Sequence, residues 1–163
     1  MVTAREAVAT VVDPELRVVT IAELGILRDV ETDDSGHVTV TITPTYTGCP
    51  AMEVIRADIG AALRAAGHAD HDVRTVFAPA WSTDWISPDG RAKLAAAGIA
   101  PPAPTRAAGP TAPAPPVALT IAVRCTHCGS PETEQLSRFG STACKALWRC
   151  RACGEPFDAM KAY

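Results

Sequence analysis

Six cysteines carry the most evident chemistry in this chain, and their spacing divides them into groups. Cys125-Thr126-His127-Cys128 and Cys150-Arg151-Ala152-Cys153 are two C-x-x-C knuckles separated by 21 residues. Such a pair supplies four thiolates to one tetrahedral ion, for which structural zinc is the usual occupant. A disulfide pair or an iron site is the alternative. Gly129 and Gly154 directly follow the knuckles, where the backbone must turn its N–H groups toward the sulfurs. His127 could replace a cysteine, but two complete knuckles make that unnecessary. Cys144, in Phe139-Gly140-Ser141-Thr142-Ala143-Cys144-Lys145, is surplus to a four-ligand site. Lys145 beside it could lower its pKa; a plain buried cysteine in the sheet is the alternative. Cys49 stands apart, in Thr47-Gly48-Cys49-Pro50. At the start of a helix it would face unpaired amides and the positive end of the dipole. Both favour thiolate, the nucleophilic and metal-binding form. The alternative is a small cysteine filling a strand–helix corner.

Carboxylates offer a second kind of chemistry. Asp13-Pro14-Glu15 sets two acids on a stiff turn, which could equally be a helix stop with solvated acids. Asp84 lies between Trp81 and Trp85. The two indoles read as closing a small core, and a partly buried acid between them needs a partner. His37, His68 and His71 sit in turn-like contexts and read as solvated.

These residues need elements to position them. Thr3-Ala4-Arg5-Glu6 is a capping box opening a helix through Val8, Val11 and Val12, predicted to stop at Asp13 before Pro14. Ile26 to Val30 reads as a strand. It is joined through Asp33-Asp34-Ser35-Gly36 to a second strand, Val38 to Thr43, with its alternating apolar residues. Pro50 suits the first position of the next helix, whose apolar stripe is Met52, Ile55, Ile59, Ala62, Leu63 and Ala66, ending near Gly67. Val73 to Phe77 reads as a third strand. Ser87-Pro88 caps a last helix that stops near Gly98. The order α-β-β-α-β-α over residues 1–100 is that of a small α+β domain.

Residues 101–116 hold 7 of the 14 prolines and read as a semi-rigid linker. It would reach on the order of 50 Å at ~3.1 Å per residue, so that the two domains need not touch. Residues 117–163 are too few to bury a stable core unaided, and thiolate–metal bonds would supply most of their folding energy. Residues 1–100 carry 8 basic and 14 acidic side chains, and residues 117–163 carry 6 and 4. A net +2 on the second part, with few aromatics, speaks against nucleic-acid binding. There is no apolar run long enough to span a bilayer and no signal-peptide pattern at Met1-Val2-Thr3-Ala4-Arg5-Glu6. A cytoplasmic protein with reduced or metal-bound cysteines is the expectation.

With these residues in place, the first hundred resemble the small α/β domain of iron–sulfur cluster assembly factors. The resemblance lies in Asp13-Pro14-Glu15, the segment Thr20-Ile21-Ala22-Glu23-Leu24-Gly25-Ile26 and the Cys49-Pro50 turn. The Trp81 to Trp85 segment, the linker and the ribbon with its Phe139 to Lys145 run are similar to the PaaD (PaaJ) family of phenylacetate degradation. The chain departs from that pattern at Thr126, where proline is expected, and at Ala162, where a cysteine is expected.

The resemblance implies an accessory protein of the ring-1,2-phenylacetyl-CoA epoxidase complex that matures or inserts an iron–sulfur cluster. The expected client is the 2Fe–2S reductase subunit. It further implies that Cys49 holds iron or a cluster transiently, in one chain or doubled across a homodimer. Asp13 and Glu15 would supply oxygen ligands or take the released proton. Thr47 and the Gly48 amide would bond the sulfur, and Asp84 would close the site. The ribbon would dock the client, with the linker raising the effective concentration. A scaffold subunit of the oxygenase and a zinc-ribbon nucleic-acid binder remain the other classes. An enzyme in its own right fits least, for want of a phosphate loop or an obvious nucleophile–base pair.

Overall fold

The computed structural model describes residues 2–103 and 123–162. The linker expectation therefore falls largely outside the described residues, as do the first residues of the expected ribbon domain. The capping box forms as read: Thr3 Oγ1 accepts from the Glu6 N–H, and the Glu6 carboxylate accepts from the Thr3 N–H, opening α1 (Ala4–Ala9). The helix ends four residues earlier than expected, because Val11 to Asp13 leave it to pair with Val19 to Ile21. Asp13 N–H donates to the Val19 carbonyl and Ile21 N–H to the Val11 carbonyl, both at 2.9 Å.

β1 (Leu27–Thr32) and β2 (Val38–Ile42) form the expected antiparallel hairpin. Val38, Val40 and Ile42 are fully buried on one face, as their alternation requires. α2 (Ala51–Ala65) crosses over to β3 (His71–Thr75), which runs parallel to β2 in the register Val38↔His71 to Ile42↔Thr75. That register starts β3 two residues before the expected Val73. Ile55, Ile59 and Leu63 of α2 are fully buried. The helix closes with Gly67 at φ 91° and the His68 N–H on the Leu63 carbonyl, a glycine-dependent C-terminal motif.

His37, just before β2, holds Asp70 at 2.9 Å and faces Asp72 at 3.6 Å. The Asp70 hydrogen bond raises its pKa above the ordinary 6.5. The stabilisation is therefore complete below that value and is lost as pH climbs through the folded pKa. An NMR titration should place the His37 midpoint above 6.5, and Asp70→Asn should lower it toward 6.5.

A 3-10 turn (Thr83–Trp85) and α3 (Pro88–Ala96), capped by Ser87 on the Gly90 N–H at 3.0 Å, complete the first lobe. Trp81 is buried, and its indole N–H donates to the Leu24 carbonyl at 2.9 Å. Trp85 is only partly buried and lies under the Arg28 guanidinium, 3.6 Å from the ring centroid. Gly25, at φ 71°, lets Trp85 approach: a Cβ there would stand 2.5 Å from Trp85 Cβ. Gly25→Ala should destabilise the chain by about 2–4 kcal/mol, from the clash and the left-handed backbone together, measurable by urea unfolding.

The second sheet has the order β4-β7-β6-β5, from β4 (Ile99–Ala100), β5 (Thr133–Ser137), β6 (Lys145–Cys150) and β7 (Pro156–Met160). β4 comes from the first lobe and pairs parallel with β7, Ile99↔Asp158 and Ala100↔Ala159. The two parts, which by sequence need not touch, are in contact. Cys144 and Met160 of the ribbon pack into the first lobe's core. The ribbon's own core is small: Ala100, Cys125, Cys150, Phe157 and Ala159, flanked by Val123 and Trp148. Among the described residues no helix is long and apolar enough to cross a membrane.

Candidate functional site: a four-cysteine metal centre and the Cys49 pocket

Cys125, Cys128, Cys150 and Cys153 place their sulfurs within 4.8 Å of one another, and among the described residues they are the only such group. Cys125 and Cys153 are 3.8 Å apart and Cys128 and Cys150 3.5 Å. A tetrahedron with metal–sulfur bonds of about 2.3 Å has edges of about 3.8 Å, so the donor set fits an ion of that kind. The knuckles aim backbone N–H groups at the sulfurs. His127 N–H donates to Cys125 at 3.4 Å, and the Cys153 N–H, with that of Ala152, brings Cys150 down to about 7. Gly129 and Gly154, at φ 74° and 81°, make the turns behind them. His127 is exposed and outside the group.

Cys49 sits at the mouth of α2, half-buried, with Pro50 at the cap position and Ala51 opening the helix. Its thiol is not activated, contrary to the expectation from the helix terminus. Burial pushes its pKa up and outweighs the nearby Ala51 N–H; Glu15 and Asp13 push it further, while Tyr46 favours the charged sulfur. Two carboxylates thus face one thiol, and each is held differently. Asp13 is 5% exposed, and its Oδ1 accepts from the N–H groups of Glu15 at 2.9 Å and Leu16 at 2.8 Å. It builds the turn, and burial raises its pKa despite those bonds. Glu15 is partly exposed and also raises the pKa of the Cys144 thiol.

Thr47 is exposed, and the backbone hydrogen bond to the Cys49 sulfur comes from Ala51. Asp84 is exposed on its 3-10 turn, its N–H on Ser82 Oγ at 3.2 Å, and it is not among the charges that chiefly act on Cys49. The expectation of a partly buried acid there is not met, because the turn directs Thr83, not Asp84, into the core. Lys145 does not activate Cys144, whose thiol burial pushes up to about 12. The lysine instead pairs with Asp158 at 3.7 Å, and its charge reaches Asp13. Sequence reasoning missed Tyr46, which acts on Cys49 and whose own pKa burial raises. Its signal was its place as one of two tyrosines, three residues before the cysteine.

Comparison with known proteins follows this division. Residues 2–74 match the family described as iron–sulfur cluster assembly protein, and residues 109–161 match the PaaD zinc beta ribbon domain. The chain is 44% identical over 149 residues to an Escherichia coli protein named as a putative 1,2-phenylacetyl-CoA epoxidase subunit, covering 91% of this chain and 85% of that protein. It is 38% identical over 82 residues to an Fe–S protein maturation auxiliary factor of Bacillus subtilis, covering 50% of this chain and 79% of that one. A crystal structure of a domain of unknown function from Bacillus anthracis superposes with a TM-score of 0.52 at 30% identity, over 56% of this chain and 87% of that chain.

Proposed function

The chain belongs to the PaaD family, together with the Escherichia coli epoxidase protein, and on that premise we propose that it is a maturation factor rather than an enzyme. In this reading Cys49 receives iron or an iron–sulfur cluster and passes it to a component of the oxygenase, with the 2Fe–2S reductase as client. Likeness to Fe–S maturation auxiliary factors over the first lobe supports it. The observation that carries it is the Cys49 pocket, where Tyr46, Glu15 and Asp13 act on one half-buried thiol. A site of this kind binds without enclosing: one soft sulfur and a carboxylate leave iron open to displacement by client cysteines. In this reading Glu15, whose charge acts on Cys49, takes the proton that the thiol loses when it binds metal. The ribbon's four cysteines would hold zinc, which closes the knuckles and does no further chemistry.

The test is anaerobic reconstitution with ferrous iron and sulfide, followed by transfer to the metal-free reductase. One zinc per chain plus bound iron and sulfide, and a client that gains its cluster from the loaded chain, are expected. A chain that holds zinc and never takes up iron contradicts the reading. That outcome would leave a scaffold role, which the relative's naming as part of the epoxidase favours. Copurification with the epoxidase at fixed stoichiometry would then be its signature.

A further inference from the structure

Alternation along the ribbon's strands separates its two faces. In β4, Ile99 packs into the first lobe's core and Ala100 into the ribbon's. Ala100 pairs with Ala159 of β7, and Ala159 with Ala146 of β6. Those alanines and Trp148, two residues beyond Ala146, therefore share the face turned away from Ile99. That face opens into a cavity of about 530 Å³, lined with Val123, Phe139, Ala146, Trp148, Ala159 and Met160. Its volume falls in the range of about 300–1,000 Å³ usual for binding cavities. Phe139 at its rim is 76% exposed, and Leu136, three residues earlier on β5, is 52% exposed. The loop that carries Phe139 is fixed. Phe139 N–H donates to Ser137 Oγ at 3.1 Å, and Gly140 N–H to the Lys145 carbonyl at 2.8 Å. A Cβ on Gly140 would stand 3.1 Å from both Asp158 Oδ1 and Lys145 Cβ, so the loop lies tight on its own sheet. A large ring held out beside an apolar hollow is pre-organised to receive a partner and marks an interaction surface.

The charges at the cavity specify the partner. Its charged lining residues are Arg138 and Lys161, both cations. Arg138 is exposed. Lys161 Nζ is held by neutral groups, the Ala143 carbonyl at 2.7 Å and the Phe139 ring, 5.0 Å from its centroid. Other cations of the ribbon meet carboxylates instead, Arg151 with Glu134 at 2.7 Å and Lys145 with Asp158 at 3.7 Å. We propose that this groove docks an acidic segment of the client. An apolar side chain of that segment sits against Phe139 and Trp148, and flanking Asp or Glu side chains pair with Arg138 and Lys161. The apolar anchor carries most of the affinity, while the charges speed encounter and fix the register. The identification of the client as the 2Fe–2S reductase rests on the proposed function. A second copy is the rival acidic occupant, because residues 1–100 carry 14 acidic against 8 basic side chains. A second copy seated there makes a head-to-tail contact, which must close as a ring or run on as a filament. A client closes the contact one to one.

The experiment uses the full zinc-loaded chain, with the metal-free reductase as probe. Affinity is measured by calorimetry in low and high salt for the unmutated chain, Phe139→Ala, Arg138→Glu and Arg74→Glu. Arg74 is exposed on β3 of the first lobe, so its variant makes the same charge change far along the chain from the groove. Phe139→Ala and Arg138→Glu are each expected to weaken binding about tenfold or more, with one zinc per chain retained. The loss in Arg138→Glu should shrink in high salt, and Arg74→Glu should bind like the unmutated chain. Groove variants that bind like the unmutated chain, or an unmutated chain that does not bind the reductase, would overturn the docking proposal. Iron and sulfide uptake is measured separately and should be unchanged in both groove variants. If the unmutated chain takes up no cluster but binds the reductase through Phe139 and Arg138, the proposed function falls and the groove stands. Benzoylphenylalanine in place of Gln135, an exposed lining residue, identifies the occupant by photo-crosslinking and mass spectrometry. The expected link is to an Asp- or Glu-flanked apolar residue of the reductase. A link only to this chain's own residues between 103 and 123, or only to a second copy, would overturn the proposal.

Discussion

Cys49→Ala is expected to reduce iron and sulfide uptake to background and to stop cluster loading of the client, with the fold intact. Loss of a group that merely orients a metal ligand typically weakens affinity 10–100-fold, and removal of the ligand itself should exceed about 100-fold. Nothing in the fold offsets that loss. Of the two carboxylates that act on Cys49, Asp13 is committed to the N–H groups of Glu15 and Leu16. The structural cost is small, because Cys49 is half-buried at the edge of the core and its neighbours Ala51 and Met52 still pack. The checks are labile sulfide and iron per chain, zinc per chain, and reductase activity after incubation with the loaded protein. Zinc should stay at one per chain. A variant that loads the client as well as the unmutated chain would remove Cys49 from the mechanism.

Cys150→Ala is expected to unfold the ribbon. Cys150 is fully buried and is one of five residues in the ribbon's small core. Structural zinc in comparable modules contributes about 10–16 kcal/mol to folding, far more than so small a core can replace. Zinc should fall from one per chain to near none, and β5, β6 and β7 should lose amide-exchange protection together. The first lobe should persist, because Val8, Val19, Ile21, Ile42, Ile55, Ile59 and Leu63 form a core that owes nothing to the metal. It should nonetheless lose several degrees of thermal stability, because Ile99, Ala100, Cys144 and Met160 give up their partners. Chelation of the unmutated protein should reproduce the same split. Exchange protection that survives metal removal would overturn this account of the ribbon.

Local signals made much of the fold legible. Thr3 with Glu6, the alternation of Val38, Val40 and Ile42, the stripe from Met52 to Leu63, and Ser87 before Pro88 each act within one turn or one strand. The knuckles were legible for the same reason, since two cysteines three residues apart can hold one ion only in one kind of turn. What escaped was non-local. The end of α1 is decided by pairing between Val11 and Ile21, and the start of β3 by its register on β2. The resting state of Cys49 escaped because burial, which no short stretch of sequence displays, outweighs the Ala51 N–H at the helix start. The placement of Cys144 escaped because it depends on how the ribbon docks on the first lobe.

The pairing of β4 with β7 also changes what the proline-rich stretch is for. Pro102 and Ala103 on one side and Val123 on the other line the same cavity of about 530 Å³, so the stretch departs from and returns to one place on the ribbon. A connection between two separated bodies would set their reach through its length. A connection whose two ends are already brought together is a closed loop, and its length enters folding only through a logarithm. Doubling it costs only about 0.6 kcal/mol. A change in how many residues separate Ala103 from Val123 therefore costs little in closing that loop, because the surfaces that hold its two ends are fixed by the pairing of β4 with β7.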